Sequence, residues 1–276
     1  KKTDSSLLCY NEVIQFSLKL EKPRAITIGQ NDNLYVAGNG KVLIYNNQGA
    51  LLETINTGKQ ATAIAINPQL GIILAMEDHI EIWNSEAKKT AQWEGVNERS
   101  VVTSIAIHDQ SIFVADAGNK IVYHYDFKGE LKNTIGEKDT LQGIPGFVIP
   151  SPYFDLLIGR DDELWVVNPG RHQFEAYSFD GRLKSSWKRT SMQVDGFSGC
   201  CNPSNIALLS DGSFVTSEKG IERVKIHSPS GDFNCLVAGS EAFAEGTVGI
   251  DLAVDSQDRI FILDPHWGEI KVFKKN

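Results

Sequence analysis

Apolar and polar positions along the chain fall into a short motif that recurs six times. Each copy opens with four residues carrying an apolar pair, at 25–28, 63–66, 104–107, 155–158, 205–208 and 251–254. A polar turn follows, then a second apolar run at 34–37, 72–75, 112–115, 164–167, 213–216 and 260–263. A third run alternates apolar with polar residues, as in Ile80-Glu81-Ile82-Trp83 and Val122-Tyr123-His124-Tyr125. Runs of this length, rich in Val, Ile, Phe and Tyr and bounded by Gly, Asn and Asp, have the chemistry of strands. Turns such as Asp180-Gly181, Asp211-Gly212 and Ser230-Gly231 supply the positive φ that tight hairpins need. No stretch sustains a 3.6-residue period, so almost no helix is expected.

The spacing between copies sets the architecture. The second-run markers Tyr35, Ile73, Phe113, Trp165, Phe214 and Phe261 lie 38, 40, 52, 49 and 47 residues apart. Periods of about 40–50 residues with three or four strands per unit predict propeller blades, each burying its faces against its neighbours in a ring. The expected fold is all-β: a six-bladed β-propeller of four-stranded antiparallel blades forming a single domain over 1–276. The blades are placed at about 22–57, 60–95, 100–136, 150–188, 203–239 and 248–276. The last copy lacks a fourth strand, and an orphan strand at 12–19 precedes the first. That N-terminal strand is expected to complete blade 6, closing the ring and removing an open edge.

The segment Ile112-Phe113-Val114-Ala115-Asp116-Ala117-Gly118-Asn119-Lys120-Ile121 resembles the core of an NHL repeat, as does Pro203-Ser204-Asn205-Ile206-Ala207 followed by Ser210-Asp211-Gly212. The loop at 143–150 resembles the glycine-rich connection between such repeats. The likeness covers about residues 12–276, with blades 1, 2 and 4 departing from the consensus. It implies a fold and not an activity.

Composition narrows the partners. The chain has 276 residues, 41% hydrophobic and 22% charged, with a formal net charge of −8. That acidic balance argues against a nucleic-acid partner, and no apolar run approaches the roughly 18 residues of a membrane span. The polar start reads as the trimmed end of an exported protein, periplasmic or extracellular, with a cytoplasmic home as the alternative. A monomer is expected.

Candidate chemistry gathers where the loops leading into each blade meet the hairpins between second and third strands, because both fall at one mouth of the channel. Long lead-in loops at 136–152, 188–203 and 239–249 enlarge that face. Vicinal Cys200 and Cys201, with Asn202, read as a vicinal disulfide, a redox pair or a soft-metal site, with Cys235 as a third partner, or as two small structural residues. His172 and His266, together with His79, come from alternate blades and could converge on a zinc ion, as in some lyases of similar architecture. Asp155, Asn205 and Asp251, with Ser104, share one inner-strand register, either as a calcium-binding ring or as blade-to-blade bonds. Arg171 and Trp267, at hairpin tips, are candidates to clamp an anion and stack a ligand. Asp116 and Asp264 are expected to cap their turns. Calcium, zinc and copper are therefore the candidate cofactors. No nucleophile elbow, phosphate loop or two-histidine metal helix is present. The leading reading is a binding module for a small molecule or a protein partner. The alternative is an enzyme, either a metal-dependent lyase or lactonase or a redox protein using the cysteine pair.

Overall fold

A computed structural model describes residues 3–276. Six four-stranded antiparallel sheets form the six blades. Blade 6 begins with the chain's first strand, β1 (Tyr10–Ser17). Blade 1 is β2 (Ala25–Ile28), β3 (Leu34–Gly38), β4 (Lys41–Tyr45) and β5 (Leu51–Asn56). Blade 2 is β6 (Ala63–Asn67), β7 (Gly71–Ala75), β8 (Ile80–Trp83) and β9 (Lys89–Trp93). Blade 3 is β10 (Val102–His108), β11 (Ser111–Asp116), β12 (Ile121–Asp126) and β13 (Leu131–Ile135). Blade 4 is β14 (Leu156–Ile158), β15 (Leu164–Asn168), β16 (Gln173–Tyr177) and β17 (Leu183–Lys188). Blade 5 is β18 (Asn205–Leu208), β19 (Phe214–Ser217), β20 (Val224–His227) and β21 (Phe233–Ala238). Blade 6 is completed by β22 (Asp251–Val254), β23 (Ile260–Asp264) and β24 (Glu269–Lys275). The helical content of the described residues is four single 3₁₀ turns, as the missing 3.6-residue period predicts.

The strand period of two explains how the ring packs. Along β3, Leu34 and Val36 enter the core shared with blade 6, while Tyr35 and Ala37 pack toward blade 2. Such cores lie between every pair of adjacent blades, so each sheet buries both faces against its neighbours. Successive third strands end in hairpins closed by a side-chain oxygen. Asn46, Asn84 and Asp126 each accept hydrogen bonds from the amides two and four residues on. Ser178 and Ser228 accept the four-residue bond in the same place. The residue three beyond this oxygen has positive φ, and it is Gly in every blade from 1 to 5 except blade 2, where Ala87 takes it.

Closure follows the expected route. β1 pairs antiparallel with β24 from Tyr10 opposite Lys275 to Ser17 opposite Glu269, and Ile14 and Phe16 pack on the core between blades 6 and 1. Just before β1, Cys9 forms a disulfide with Cys235 on β21 of blade 5. The closing strand is thus held by a ladder to one blade and a covalent link to the next. This corrects the expectation for Cys235, which is committed to Cys9 and is no partner of the 200–201 pair. No helix among the described residues is long and apolar enough to cross a membrane.

Candidate functional site

In each blade the loop into the inner strand and the hairpin between second and third strands lie at the same end of the sheet. Six such ends meet around a cavity of about 230 Å³. Its wall takes Arg24 from the lead-in of blade 1, Thr62 from blade 2, Thr103 from blade 3, Tyr153 and Asp155 from blade 4, Ser204 and Asn205 from blade 5 and Gly249 from blade 6. Glu77 and Pro265 join from the hairpins of blades 2 and 6. Below it, the inner strands line a narrower polar channel of about 150 Å³, which shares Arg24, Thr62, Thr103, Asp155 and Asn205 with the mouth and adds Ser104 and Asp251.

The inner-strand register is Ala in blades 1 and 2 and polar in blades 3–6, and the polar members fasten each blade to the next. Ser104 Oγ donates to Asp155 Oδ1 (2.5 Å), and Asp155 Oδ2 accepts from Ile206 N (2.7 Å). Asn205 Nδ2 donates to Asp251 Oδ1 (3.1 Å), and Asp251 Oδ2 accepts from Ile26 N (2.7 Å). Threonines one residue earlier add Thr62 Oγ1 to Val102 O (2.7 Å) and Thr103 Oγ1 to Phe154 O (2.6 Å). These are the blade-to-blade bonds that the sequence offered as one of two readings. All the donors to the two carboxyls are neutral. Burial therefore dominates and pushes Asp155 up to about 6, its hydrogen bonds pulling the other way. Burial, then the charge of Asp155, pushes Asp251 up to about 7.

At the rim, Arg24 is exposed, and among the described residues its guanidinium has no hydrogen-bond or ion-pair partner. Tyr153 stands across blade 4, its ring 5.1 Å beneath Lys219 Nζ. Lys219 Nζ donates to Ser151 Oγ (3.3 Å), which donates to Cys201 Sγ (2.9 Å). Cys200 and Cys201 are free thiols with sulfurs 3.1 Å apart, Cys200 exposed and Cys201 buried. Asn202 is fully engaged: Oδ1 accepts from Lys219 N (2.6 Å), and Nδ2 donates to Ser198 O and Lys219 O. It clamps the 188–203 loop to the blade 5 hairpin and presents nothing to a ligand.

That loop is also held from beneath by buried charge. Lys225 is fully buried, with Nζ 3.1 Å from Glu218 Oε2, bonded to Gly196 O (2.6 Å) and 4.1 Å from the Phe197 ring centroid. Arg223 forks onto both oxygens of Glu218. Burial pushes Lys225 down to about 8, the nearby Glu218 carboxylate opposing it.

Several expected residues stand elsewhere. Arg171 reaches Pro145 O (3.4 Å), with its Nε buried and unpartnered, and is not on the cavity wall. Trp267 is 49% exposed, with Lys271 Nζ 4.7 Å from its ring centroid, and is likewise off the wall. His79 is buried between Asp78 (2.6 Å) and Glu81 (3.4 Å). His172 bonds Thr190 Oγ1 and Gly199 O, and His266 is an exposed tip residue. Among the described residues no three His, Cys, Asp or Glu side chains gather as a metal-holding group. The three-imidazole arrangement is therefore not assembled, because each ring follows its own hairpin. Asp116 and Asp264 do cap turns: Asp116 Oδ1 accepts from Val101 N and Asn119 N, and Asp264 Oδ1 from His266 N and Trp267 N. Arg24, Glu77 and Tyr153 were missed. Their one signal is position, Arg24 directly ahead of β2 and Tyr153 three residues ahead of the start of β14.

No protein-family profile matches the chain, and no curated protein matches it by sequence. Solved structures do. A streptogramin B lyase is similar at a TM-score of 0.67 and 11% identity, covering 99% of this chain and 100% of that one. A catalytically inactive virginiamycin B lyase from Staphylococcus aureus, with quinupristin, is similar at 0.64 and 14%, covering 95% and 83%. A protein of unknown function from Bacteroides thetaiotaomicron is similar at 0.64 and 13%, covering 96% and 76%. At these identities the likeness is one of fold, and the chain is a six-bladed β-propeller sharing its architecture with the virginiamycin B lyases.

Proposed function

We propose that this chain is a binding module that takes a small polar molecule bearing an anionic group into the cavity at the channel mouth. The observation that carries this reading is Arg24, an unpartnered guanidinium on the wall of a cavity that all six lead-in loops build. A carboxylate or phosphate there gains a charge-assisted bond that no protein group already supplies. Tyr153 offers a face, the Thr62 and Thr103 hydroxyls, whose protons go to Val102 O and Phe154 O, offer lone pairs to a donor on the ligand, and Asn205 and Asp155 form the floor. The NHL resemblance, a monomeric state and export belong to the same reading. Export draws support from the Cys9–Cys235 link, since disulfides persist in oxidising compartments. The test is a thermal-shift screen against a set of small organic acids and phosphate esters. At least one should stabilise the protein, and Arg24→Gln should abolish that gain while leaving the unliganded midpoint unchanged. A screen without hits, or hits indifferent to Arg24→Gln, would sink the proposal.

A second reading, an enzyme, has one specific observation in its favour. Asp155 and Asp251 sit on the channel with carboxyls pushed to about 6 and about 7, a range suited to acid–base work near neutral pH. Loss of quinupristin on incubation with the protein, absent in Asp155→Asn, would favour it.

A further inference from the structure

The binding reading leaves unused two thiols that stand off the cavity wall and are joined to it through Ser151 and Lys219. We infer that Cys200 and Cys201 form a reversible thiol–disulfide couple that sets the conformation of the cavity wall built by blades 4 and 5. The first link is proximity: the sulfurs are 3.1 Å apart, and Cys200 is exposed to a soluble oxidant. The second is the connection from thiol to wall. Cys201 Sγ accepts from Ser151 Oγ, Ser151 accepts from Lys219 Nζ, and that ammonium sits over the Tyr153 ring, which lines the cavity. On the other side, Ser204 lines the cavity three residues beyond Cys201. The third is the setting, for a chain that joins Cys9 to Cys235 is stable where thiols oxidise.

The chemistry balances with a small-molecule disulfide such as oxidised glutathione. The Cys200 thiolate attacks one sulfur of the oxidant, forming a mixed disulfide and releasing one glutathione thiol. The Cys201 thiolate then attacks Cys200 Sγ, closing the intramolecular bond and releasing the second. Two protein thiols lose two electrons and two protons, and one glutathione disulfide becomes two thiols. Bonding Cys201 Sγ to its neighbour pulls it from Ser151 Oγ, and the Ser151–Lys219–Tyr153 chain loses its anchor.

The couple exists independently of any ligand. Its relevance to binding rests on the mouth cavity being the site. The experiment treats the whole protein with oxidised glutathione and reads two things. Peptide mass spectrometry of tryptic fragment 190–219, which carries both cysteines, should show a loss of two hydrogen masses, restored by dithiothreitol. Amide exchange over 151–155 should change by about threefold or more on oxidation. In Cys201→Ser, Cys200 should take one glutathione with no ring closure and no change at 151–155. Wild-type protein that stops at glutathionylated Cys200 overturns the couple, and ring closure without altered exchange overturns its link to the wall. The organic-acid screen is separate: its failure removes the binding reading and leaves the thiol result standing.

Discussion

Replacing Asp251 with Asn tests the inner-strand ring most directly. Asp251 has an ordinary value of 3.8 and is pushed to about 7 by burial and by Asp155. A raised carboxyl means that the folded state holds a proton that the unfolded chain has released. The contribution to stability is therefore complete below pH 3.8 and is lost as pH rises toward 7. A shift of that size corresponds to about 4 kcal/mol. Asp251 keeps part of its surface on the channel and shares its titration with Asp155, so about 2 kcal/mol is the expected share. Asn keeps the shape. Its oxygen can accept from Ile26 N, and its amide can donate to Asn205 Oδ1, which is buried without a partner in the wild type, once the Asn205 amide turns over. Chemical denaturation at pH 4.5, 6 and 8 is the assay. The variant should match the wild type within about 1 kcal/mol at the lowest pH and exceed it by about 2 kcal/mol at pH 8. A difference independent of pH, or one that favours the wild type more as pH rises, would refute a desolvated, cation-free Asp251.

Two further outcomes follow from the same packing. Lys225→Met should cost about 3 kcal/mol in denaturant melts, because it removes one partner of a buried charge cluster. It should also raise amide exchange over 189–199, since Lys225 Nζ holds Gly196 O; unchanged exchange there would show that the loop is held without Lys225. Replacing Cys9 and Cys235 together by Ser opens a covalent loop with a sequence separation of 226. The midpoint should fall by an amount equivalent to about 3 kcal/mol, and an unchanged midpoint would mean that the β1–β24 ladder alone closes the ring.

What was legible in the chain divides along a physical line. Strands declared themselves because burial on both faces forces Val, Ile and Phe into fixed registers, and six copies of one register make the count secure. Asp155, Asn205 and Asp251 were legible for the same reason: they occupy one repeat position, so a ring fixes their neighbours once it closes. Periodicity says nothing, however, about where a tip side chain points. Arg171 and Trp267 lie on the correct hairpins, yet Arg171 turns to Pro145 O and Trp267 packs with Lys271. The long lead-in loops are harder still. The loop 188–203 is pinned in part by Lys225, held in turn by Glu218, and their burial at 0% exposure on β20 and beside it looks from sequence like ordinary surface alternation.

The cysteines show how closure converts sequence distance into contact. Cys9 and Cys235 have no local motif, and proximity in sequence favoured grouping Cys235 with Cys200 and Cys201. A ring reverses that preference. β1 must lie outside β24, and the segment before it must then run along the outer edge of blade 5, where Leu8 bridges Leu236 and Cys9 N bonds Leu236 O (3.1 Å). Once the closing strand is assigned, its neighbour across the blade 5–6 boundary follows from topology, and Cys235 is the cysteine on that edge. The vicinal pair is then left as the two free thiols, so an intramolecular disulfide that spares the 9–235 link can form only between residues 200 and 201.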